Sequence, residues 1–562
     1  MNKLTAAISA AVASLTLSSP LLAQEDMSAL GATNGLTSQR YMGTGKGVIV
    51  SILDSGVDVK HPSLKGAVYA QKDFTGEKTL DDAIKQPGHG TGIAGIMLGR
   101  GKEYAGLAPG ARLVNARVDN SYDVSSDAWA GAGLIWSAKE GAKIANISFG
   151  NKLGTPQLTE KFTLMCDYVA ERYGMNVVVA GGNDGNSDGS AVKQVPGGLY
   201  NGYTVGALNG PDYRQTAGFS NWAQDDDRRS KPDLVAPGVN VTAPAANWDR
   251  KHQADYQPMT GTSFSAPMVG GVLAQMIGYG KAHDLPTDPL LLKAVLLTSA
   301  QKAHDVDGSP WDPRLGQRNK YYGYVFTRPL DDEEGAGSLD AVAAYRLYAR
   351  THVKSTPLNT WKEGRLKQNQ TYELSLGKLY EGQRLDTTLT WMHHVAVKDR
   401  GAKGLDATDT FYEPVGLADF TLRLLRDGVP IAASDSNVDN LEHLSWTLEK
   451  TAKYSLEVYR FEGGGLKTED FALAARVLRG DAAAAQAAGV MRSLAVEPGA
   501  LEAVAVPEPS IPVFCVMTLT MLGLRRSRWR GEQERATENI PEAADLIAGR
   551  VDGERQELRA AA

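Results

Sequence analysis

Ser263 lies in MTGTSFSAPMVGG (Met259–Gly271), where a Gly-Thr-Ser turn runs into Phe264, Met268, Val269, Val272, Leu273, Met276 and Ile277 at helical spacing. That spacing predicts a buried helix starting at or just after Ser263. A serine at such a place commonly caps the first free N–H groups. Its hydroxyl can also be a nucleophile, provided a base lies within hydrogen-bond reach and a third group orients the base.

Of the nine histidines, eight sit in ordinary polar or loop contexts, among them His61, His252 and the adjacent His393 and His394. These read as solvated or core-bonded side chains. His89 differs, because GHGTGIAGIMLG (Gly88–Gly99) sets it between glycines at the start of an apolar, small-residue helix. Asp54 ends the strand-like run of VIVSILDSGVD and is followed by Ser-Gly; alone it would read as an Asx-turn. Asn183 in VVVAGGNDG follows another apolar run, and alone it is a turn former. As an amide at a glycine-rich turn it could also donate to a developing oxyanion.

The elements that must carry these residues alternate. Strand-like runs occur at Gly47–Asp54, Ala111–Val118, Ala142–Gly150 and Asn176–Asn183. Helix-like segments fall near Gly90–Gly99, Ser126–Glu140 and Gln157–Tyr173. Nearly continuous apolar strands separated by helices imply α/β architecture, a parallel sheet with helices on both faces. Such sheets gather functional groups at the carboxyl ends of their strands. Asp, Asn and the helix-opening His and Ser all fall at turns of that kind.

Read together, Asp54 in ILDSGVD, His89 in HGTGIAG, Asn183 in VAGGND and Ser263 in GTSFSAP resemble the motifs of subtilisin-like (subtilase, S8-type) serine peptidases. NISFG (Asn146–Gly150), KPDLVAPGVNV (Lys231–Val241) and GAGSLDA (Gly335–Ala341) add to the likeness, which spans roughly residues 45–350. The order Asp, His, Ser is the one known for subtilisin. The resemblance implies acyl transfer at a peptide carbonyl. Ser263 would attack, His89 would move the proton, Asp54 would hold the imidazole, and Asn183 with the Ser263 N–H would receive the oxyanion. It also implies that Ser148, Phe149 and Gly150 line the cleft by strand addition to an extended substrate. Two other outcomes stay open on sequence: a catalytically silent surface-binding protein on this fold, and an acyl-enzyme peptide ligase.

Two departures from the family pattern stand out. The family usually carries a second histidine three positions after the first, and here that place is Gly92; altered packing with retained chemistry is the expectation. The stretch between Ala23 and Gly47 is too short for a folded propeptide. Calcium sites are common in the family, but no compact Asp/Asn ligand loop is visible. No cofactor is required and no metal ligand is assigned, with a structural calcium left open. Asp184, Asp188 and Asp225–Asp227 read as solvated loop charges.

The 562 residues, 42% hydrophobic and 22% charged, fit several globular domains, and a net charge of −6 gives no case for nucleic-acid binding. Residues 1–23 read as a secretory signal peptide: Lys3, an Ala-rich apolar stretch, Pro20 and a small-residue end at Ala23. The expected order is then a peptidase domain over 30–350, an all-β sandwich domain over 351–480, and an Ala/Gly/Pro-rich linker over 481–510. Alternating segments such as QTYELSLG and KYSLEVYRF carry the sandwich expectation.

VPEPS (Val506–Ser510), followed over 511–530 by the apolar run Ile511–Leu524 and Arg525, Arg526, Arg528 and Arg530, resembles a PEP-CTERM sorting signal, with a plain C-terminal membrane anchor as the alternative. The run is short against the roughly twenty residues of a membrane span. A polar tail over 531–562 follows it. These features imply an exported, secreted or envelope-associated protein acting on polypeptides. They also imply membrane contact through the C-terminal segment and an exosortase-like processing enzyme as partner. Of the two cysteines, Cys166 reads as a buried small hydrophobe, and no pairing with Cys515 is expected.

Overall fold

A computed structural model describes residues 33–480, apart from the internal segments 83–87, 102–103, 123, 153–157, 186–193, 211–212, 225–228, 247–255, 303–322, 352–357 and 399–404. The signal-peptide, linker, sorting-segment and tail expectations (1–23, 481–510, 511–530 and 531–562) lie outside the described residues, as does Cys515. All the described residues belong to one compact unit, Met1–Met491.

The parallel sheet is built of β1 (Ile49–Asp54), β2 (Val68–Asp73), β3 (Arg112–Arg117), β4 (Ile144–Ile147), β5 (Asn176–Ala180), β6 (Gly202–Asn209) and β7 (Leu234–Pro237); the four expected runs are β1, β3, β4 and β5. They lie side by side in the order β7-β6-β5-β4-β1-β3-β2, every neighbouring pair parallel. The order reverses around β1, the kind of place where a crevice opens beyond the strand ends. Asp54 is the last residue of β1, Ser148 follows the end of β4, and Asn183 follows the end of β5.

The helices of this part are α1 (Gly35–Met42), α2 (His89–Leu98), α3 (Asp127–Lys139), α4 (Glu160–Tyr173), α5 (Thr262–Ala282), α6 (Pro289–Ser299) and α7 (Ala341–Tyr348). The expected helices near 90–99, 126–140 and 157–173 are α2, α3 and α4. Helix α5 is apolar on every side and is buried along most of its length, as a central helix must be. Its buried long polar side chain, Gln275, is satisfied: Nε2 donates to the carbonyls of Gly35 at 3.0 Å and Leu107 at 2.6 Å. Cys166 is buried on α4 as a free thiol.

The region after α7 is mostly strands. They are β9 (Leu358–Lys367), β10 (Gln370–Leu379), β11 (Arg384–Trp391), β12 (Ala396–Lys398), β13 (Thr410–Tyr412), β14 (Phe420–Arg426), β15 (Val429–Ser434), β16 (Leu441–Thr447), β17 (Ala452–Arg460) and β18 (Thr468–Leu478), preceded in the chain by β8 (Val325–Thr327). One sheet runs β9-β18-β11-β16 and another β8-β15-β14-β17-β10. Strand β8 comes from inside the 30–350 stretch, so the boundary expected near residue 350 is not a break in packing.

The β region also shares its core with the α/β part. Along β11, Leu385, Leu389 and Trp391 face the apolar layer between the two sheets. Thr388 and Thr390 turn the other way: Thr298 Oγ donates to Thr388 Oγ at 2.8 Å, and Thr390 Oγ donates to the Leu290 carbonyl at 3.0 Å on α6. Trp361, Leu441, Ala472 and Ala474 enter the same core as Leu291 and Val295. A strand covered on both faces cannot show a clean apolar–polar alternation, and β11 is buried throughout. Farther along, the β12–β13 excursion sets Val395, Ala407 and Phe411 against Phe162, Met165 and Cys166 of α4.

Candidate active site

Asp54 is 2% exposed. One oxygen, Oδ1, accepts from the Ser55 N–H at 2.8 Å and the Ser55 hydroxyl at 3.1 Å. His89 Nδ1 lies 2.9 Å from Oδ1 and 3.1 Å from Oδ2. That contact fixes the tautomer, with the proton on Nδ1 and a free acceptor at Nε2. The approach depends on Gly90, since a Cβ there would meet the Gly56 carbonyl at 2.1 Å and Asp54 Oδ1 at 3.0 Å.

The imidazole is 38% exposed and opens α2 as its first residue. Burial pushes it down, but the charge and hydrogen bond of Asp54, with the charges of Asp82 and Asp119, hold it above the ordinary 6.5. The edge of the ring meets Phe264, with ring centroids 5.5 Å apart.

Ser263 is not the cap of α5. Gly261 is the cap, at φ 145°, and Thr262 is the first helical residue, which makes Ser263 the second. Its N–H therefore precedes the first i→i−4 donor of the helix and has no intrahelical acceptor. The Ser263 hydroxyl donates to the Ser148 carbonyl at 3.0 Å and makes no hydrogen bond with His89. Asp54 and His89 are thus joined to each other, while Ser263 is adjacent through Phe264 and tied to β4.

Asn183 is exposed beyond β5. Its Oδ1 accepts from the Thr262 N–H at 2.8 Å and from the Thr262 hydroxyl at 2.9 Å. Two donors on one atom assign the amide and leave Nδ2 as the outward group. Nδ2 also approaches Gly261, where a Cβ would lie 3.3 Å from it. The helix start and the Asn183 amide are therefore one hydrogen-bonded unit.

Of the cleft residues expected from NISFG, Ser148 is buried and hydrogen-bonded to Ser263, Phe149 stacks on Phe162 with centroids 6.4 Å apart, and Gly150 is exposed. Where the family usually has its second histidine, the space beside Gly92 holds Met259, whose Sδ would be 2.5 Å from a Cβ. The altered packing is an apolar plug. His61 is buried and caps a short 3-10 turn, and His393 and His394 pair with carboxylates of α4 and β18, Asp167, Glu171 and Glu469. His252, Asp188 and Asp225–Asp227 lie outside the described residues, and Asp184 is exposed.

Two residues of the site carry little signal in sequence. Asp82 is buried and accepts both the N–H and the hydroxyl of Thr91 on α2. A hint was present: α2 opens with a glycine cap and no acidic residue in its first turn, so its capping group must come from elsewhere. Pro267 lies inside α5, and its missing N–H removes the usual helical donor to the Ser263 carbonyl. Among the described residues no group of three His, Cys, Asp or Glu side chains is arranged to hold a metal ion.

A family model, Peptidase_S8 (Subtilase family), matches residues 45–324. The Major intracellular serine protease of Bacillus subtilis (strain 168) is 32% identical over 241 residues, 42% of this chain and 70% of that protein. The chain is a serine-type peptidase of the subtilase family. The Intracellular serine protease of Paenibacillus polymyxa is 31% identical over 257 residues, 44% of this subtilase and 72% of the relative. Fervidolysin of Fervidobacterium pennivorans is 30% identical over 342 residues, covering 56% of this subtilase but only 45% of fervidolysin. The β region beyond residue 324 lies outside the family match.

Proposed function

We propose that this subtilase is an exported endopeptidase that hydrolyses peptide bonds through an acyl-enzyme on Ser263. The observation that carries the reading is the two-oxygen contact of Asp54 with His89 Nδ1, at 2.9 and 3.1 Å, which leaves Nε2 available next to the start of α5. The Ser263 hydroxyl turns from the Ser148 carbonyl to Nε2 as substrate enters. Catalytic hydrogen bonds are often loose before substrate arrives. His89 takes the hydroxyl proton as Oγ attacks the carbonyl carbon, and then returns it to the leaving amine. Asp54 holds the ring and balances the imidazolium. Asn183 Nδ2 and the Ser263 N–H donate to the oxyanion, and the positive end of α5 adds to their effect. Water then hydrolyses the ester by the same proton route in reverse.

The substrate is a polypeptide bound in extended form along Ser148–Gly150. No cofactor takes part in these steps. Export rests on residues 1–23 and sorting on 511–530; the N-terminal mass of protein recovered outside the cells tests the first, with a mature chain starting near Gln24 expected.

A fluorophosphonate probe tests the chemistry. Wild type should be labelled and Ser263→Ala should not; labelling that persists without Ser263, or fails on folded wild type, removes this reading. Product masses from a peptide library then separate hydrolysis from ligation.

A further inference from the structure

We propose that Asp82 is a positioning residue for His89: from a separate loop it caps the helix that His89 opens and sets a negative charge near the imidazole. The inference rests on the catalytic reading of His89 given above.

Helix α2 has no cap of its own. Gly88, its N-cap, has no side chain, and its φ of 88° suits glycine. The third residue of the helix, Thr91, finds its partner across the loop. Asp82 Oδ2 accepts the Thr91 N–H at 2.9 Å and Oδ1 accepts the Thr91 hydroxyl at 2.5 Å. The same Thr91 oxygen accepts the Asp58 N–H at 2.7 Å, so the turn after β1 is tied to the same point. A carboxylate at a helix N-terminus is favoured by the orphan N–H groups and by the dipole.

The segment that carries Asp82 is itself held by the sheet. Asn115 Nδ2 on β3 donates to the Leu80 carbonyl at 2.8 Å, the Val57 N–H donates to the same carbonyl at 3.0 Å, and Arg117 Nη1 donates to the Asp81 carbonyl at 2.9 Å. Asp82 therefore transmits the position of the β1–β3 strand ends to the helix that bears His89. Without it, the helix that bears His89 would keep the Asp58–Thr91 bond to the β1 turn but lose its side-chain tie to the segment held by β3.

Burial pushes Asp82 up to about 6; the Thr91 bonds oppose that rise and the charge of Asp54 adds to it. The charged groups facing this pair are Asp54 from β1 and Asp119 from beyond β3, with Asp58 on the β1 turn and the uncharged Phe264 from α5. All of these charges favour the imidazolium, so removing the charge of Asp82 lowers the pH at which His89 becomes a free base.

The test compares full-length wild type, Asp82→Asn, Thr91→Val and the control Ser263→Ala, by fluorophosphonate labelling rate and peptide kcat and KM across roughly pH 5–9. Asp82→Asn should lower the plateau labelling rate and kcat by about tenfold through misplacement of the base, with KM nearly unchanged. Its acid limb should move to lower pH. Thr91→Val keeps the carboxylate but removes a bond that opposes its rise, so it should slow labelling and move the limb in the same direction, by less than Asp82→Asn.

A wild-type rate and limb in folded Asp82→Asn overturns the proposal. So does lost stability with an unchanged limb and an unchanged rate per folded molecule. If Asp82→Asn does not fold, Thr91→Val decides by its rate; failure of both to fold assigns Asp82 to the fold and also overturns it. Absence of Ser263-dependent labelling in wild type takes down the catalytic reading as well, whereas a labelled wild type with an unaltered Asp82→Asn takes down this inference alone.

Discussion

Ser148 and Ser263 hydrogen-bond each other twice: the Ser263 hydroxyl donates to the Ser148 carbonyl at 3.0 Å, and the Ser148 hydroxyl donates to the Ser263 carbonyl at 2.9 Å. The second bond has a cause four residues on. Pro267 cannot supply the helical N–H that would normally reach the Ser263 carbonyl, and Ser148 Oγ supplies the missing donor. Asn146 Nδ2 donates to Ser148 Oγ at 2.8 Å and completes the chain of bonds. The end of β4 and the start of α5 are thereby clamped at the residue proposed to attack.

Ser148→Ala strands the Ser263 carbonyl and should cost about 1–3 kcal/mol of stability, the usual penalty for an unpaired buried acceptor. Pro267→Ala restores a backbone donor, so the double variant should recover part of that loss. Thermal or urea melts of the four proteins measure it. Strictly additive losses would show that the two residues do not share this carbonyl.

Asn183→Ala removes a proposed oxyanion donor together with the acceptor for Thr262. The value of kcat should fall by about two to three orders of magnitude while some activity remains. Steady-state kinetics on a peptide ester checks it, and a loss under threefold would remove Asn183 from the oxyanion site.

The pH dependence follows from His89 standing above 6.5. The general base must be neutral, so kcat/KM should be low at acid pH and rise through a midpoint above 6.5. The linkage to stability has the opposite sign: a raised imidazole contributes stability that is full below 6.5 and is lost as pH rises through the folded value. A kcat/KM profile with its acid midpoint below 6 would contradict the assignment of His89 as base.

His394 joins α4 to the β region, with Nδ1 2.6 Å from Glu171 and Nε2 2.9 Å from Glu469. Its hydrogen bonds to Glu171 and Glu469 raise it to about 10 against the effect of burial. Its contribution should be complete below 6.5 and disappear as pH rises through about 10. His394→Ala should cost about 3 kcal/mol near pH 6, since it leaves the buried Glu469 carboxylate without its imidazolium partner, while Glu171 is partly exposed and keeps the Val395 N–H. In melts, the gap from wild type should narrow steadily toward pH 10.

A chain ending after residue 350 would expose the face of α6 that Thr388, Thr390, Ala472 and Ala474 cover. It should not yield a soluble peptidase with a cooperative melt. In the full chain, Phe411→Ala should destabilise by about 3–4 kcal/mol, as deletion of a buried aromatic does. Calorimetry on both decides whether the β region is required for folding or dispensable.

Much of the site was legible because its parts obey local rules. Each candidate is next to a glycine or a strand end, and a run such as VIVSILD followed by Ser-Gly dictates both a buried strand and the residue at its tip. The elements around 49–54, 89–98, 144–147 and 176–180 follow from such runs. Asp82 was not legible in the same way, because a cap supplied from another loop leaves no periodic trace. The position of Ser263 inside α5 also escaped local reading: Gly261 takes the capping position, and the hydroxyl turns to a distant strand.

The sequence by itself determined the family, the α/β order of elements and the four candidate side chains, Asp54, His89, Asn183 and Ser263. Hydrophobic period is enough for the elements, and the resemblance of short local motifs carries the family and the candidates. Only the tertiary structure decided which lone pairs meet which donors: Ser148 replacing the N–H that Pro267 lacks, Asp82 capping a helix across a loop, and β11 burying its threonines against α6. Each joins residues far apart in the chain, and its geometry exists only once sheet and helices have packed.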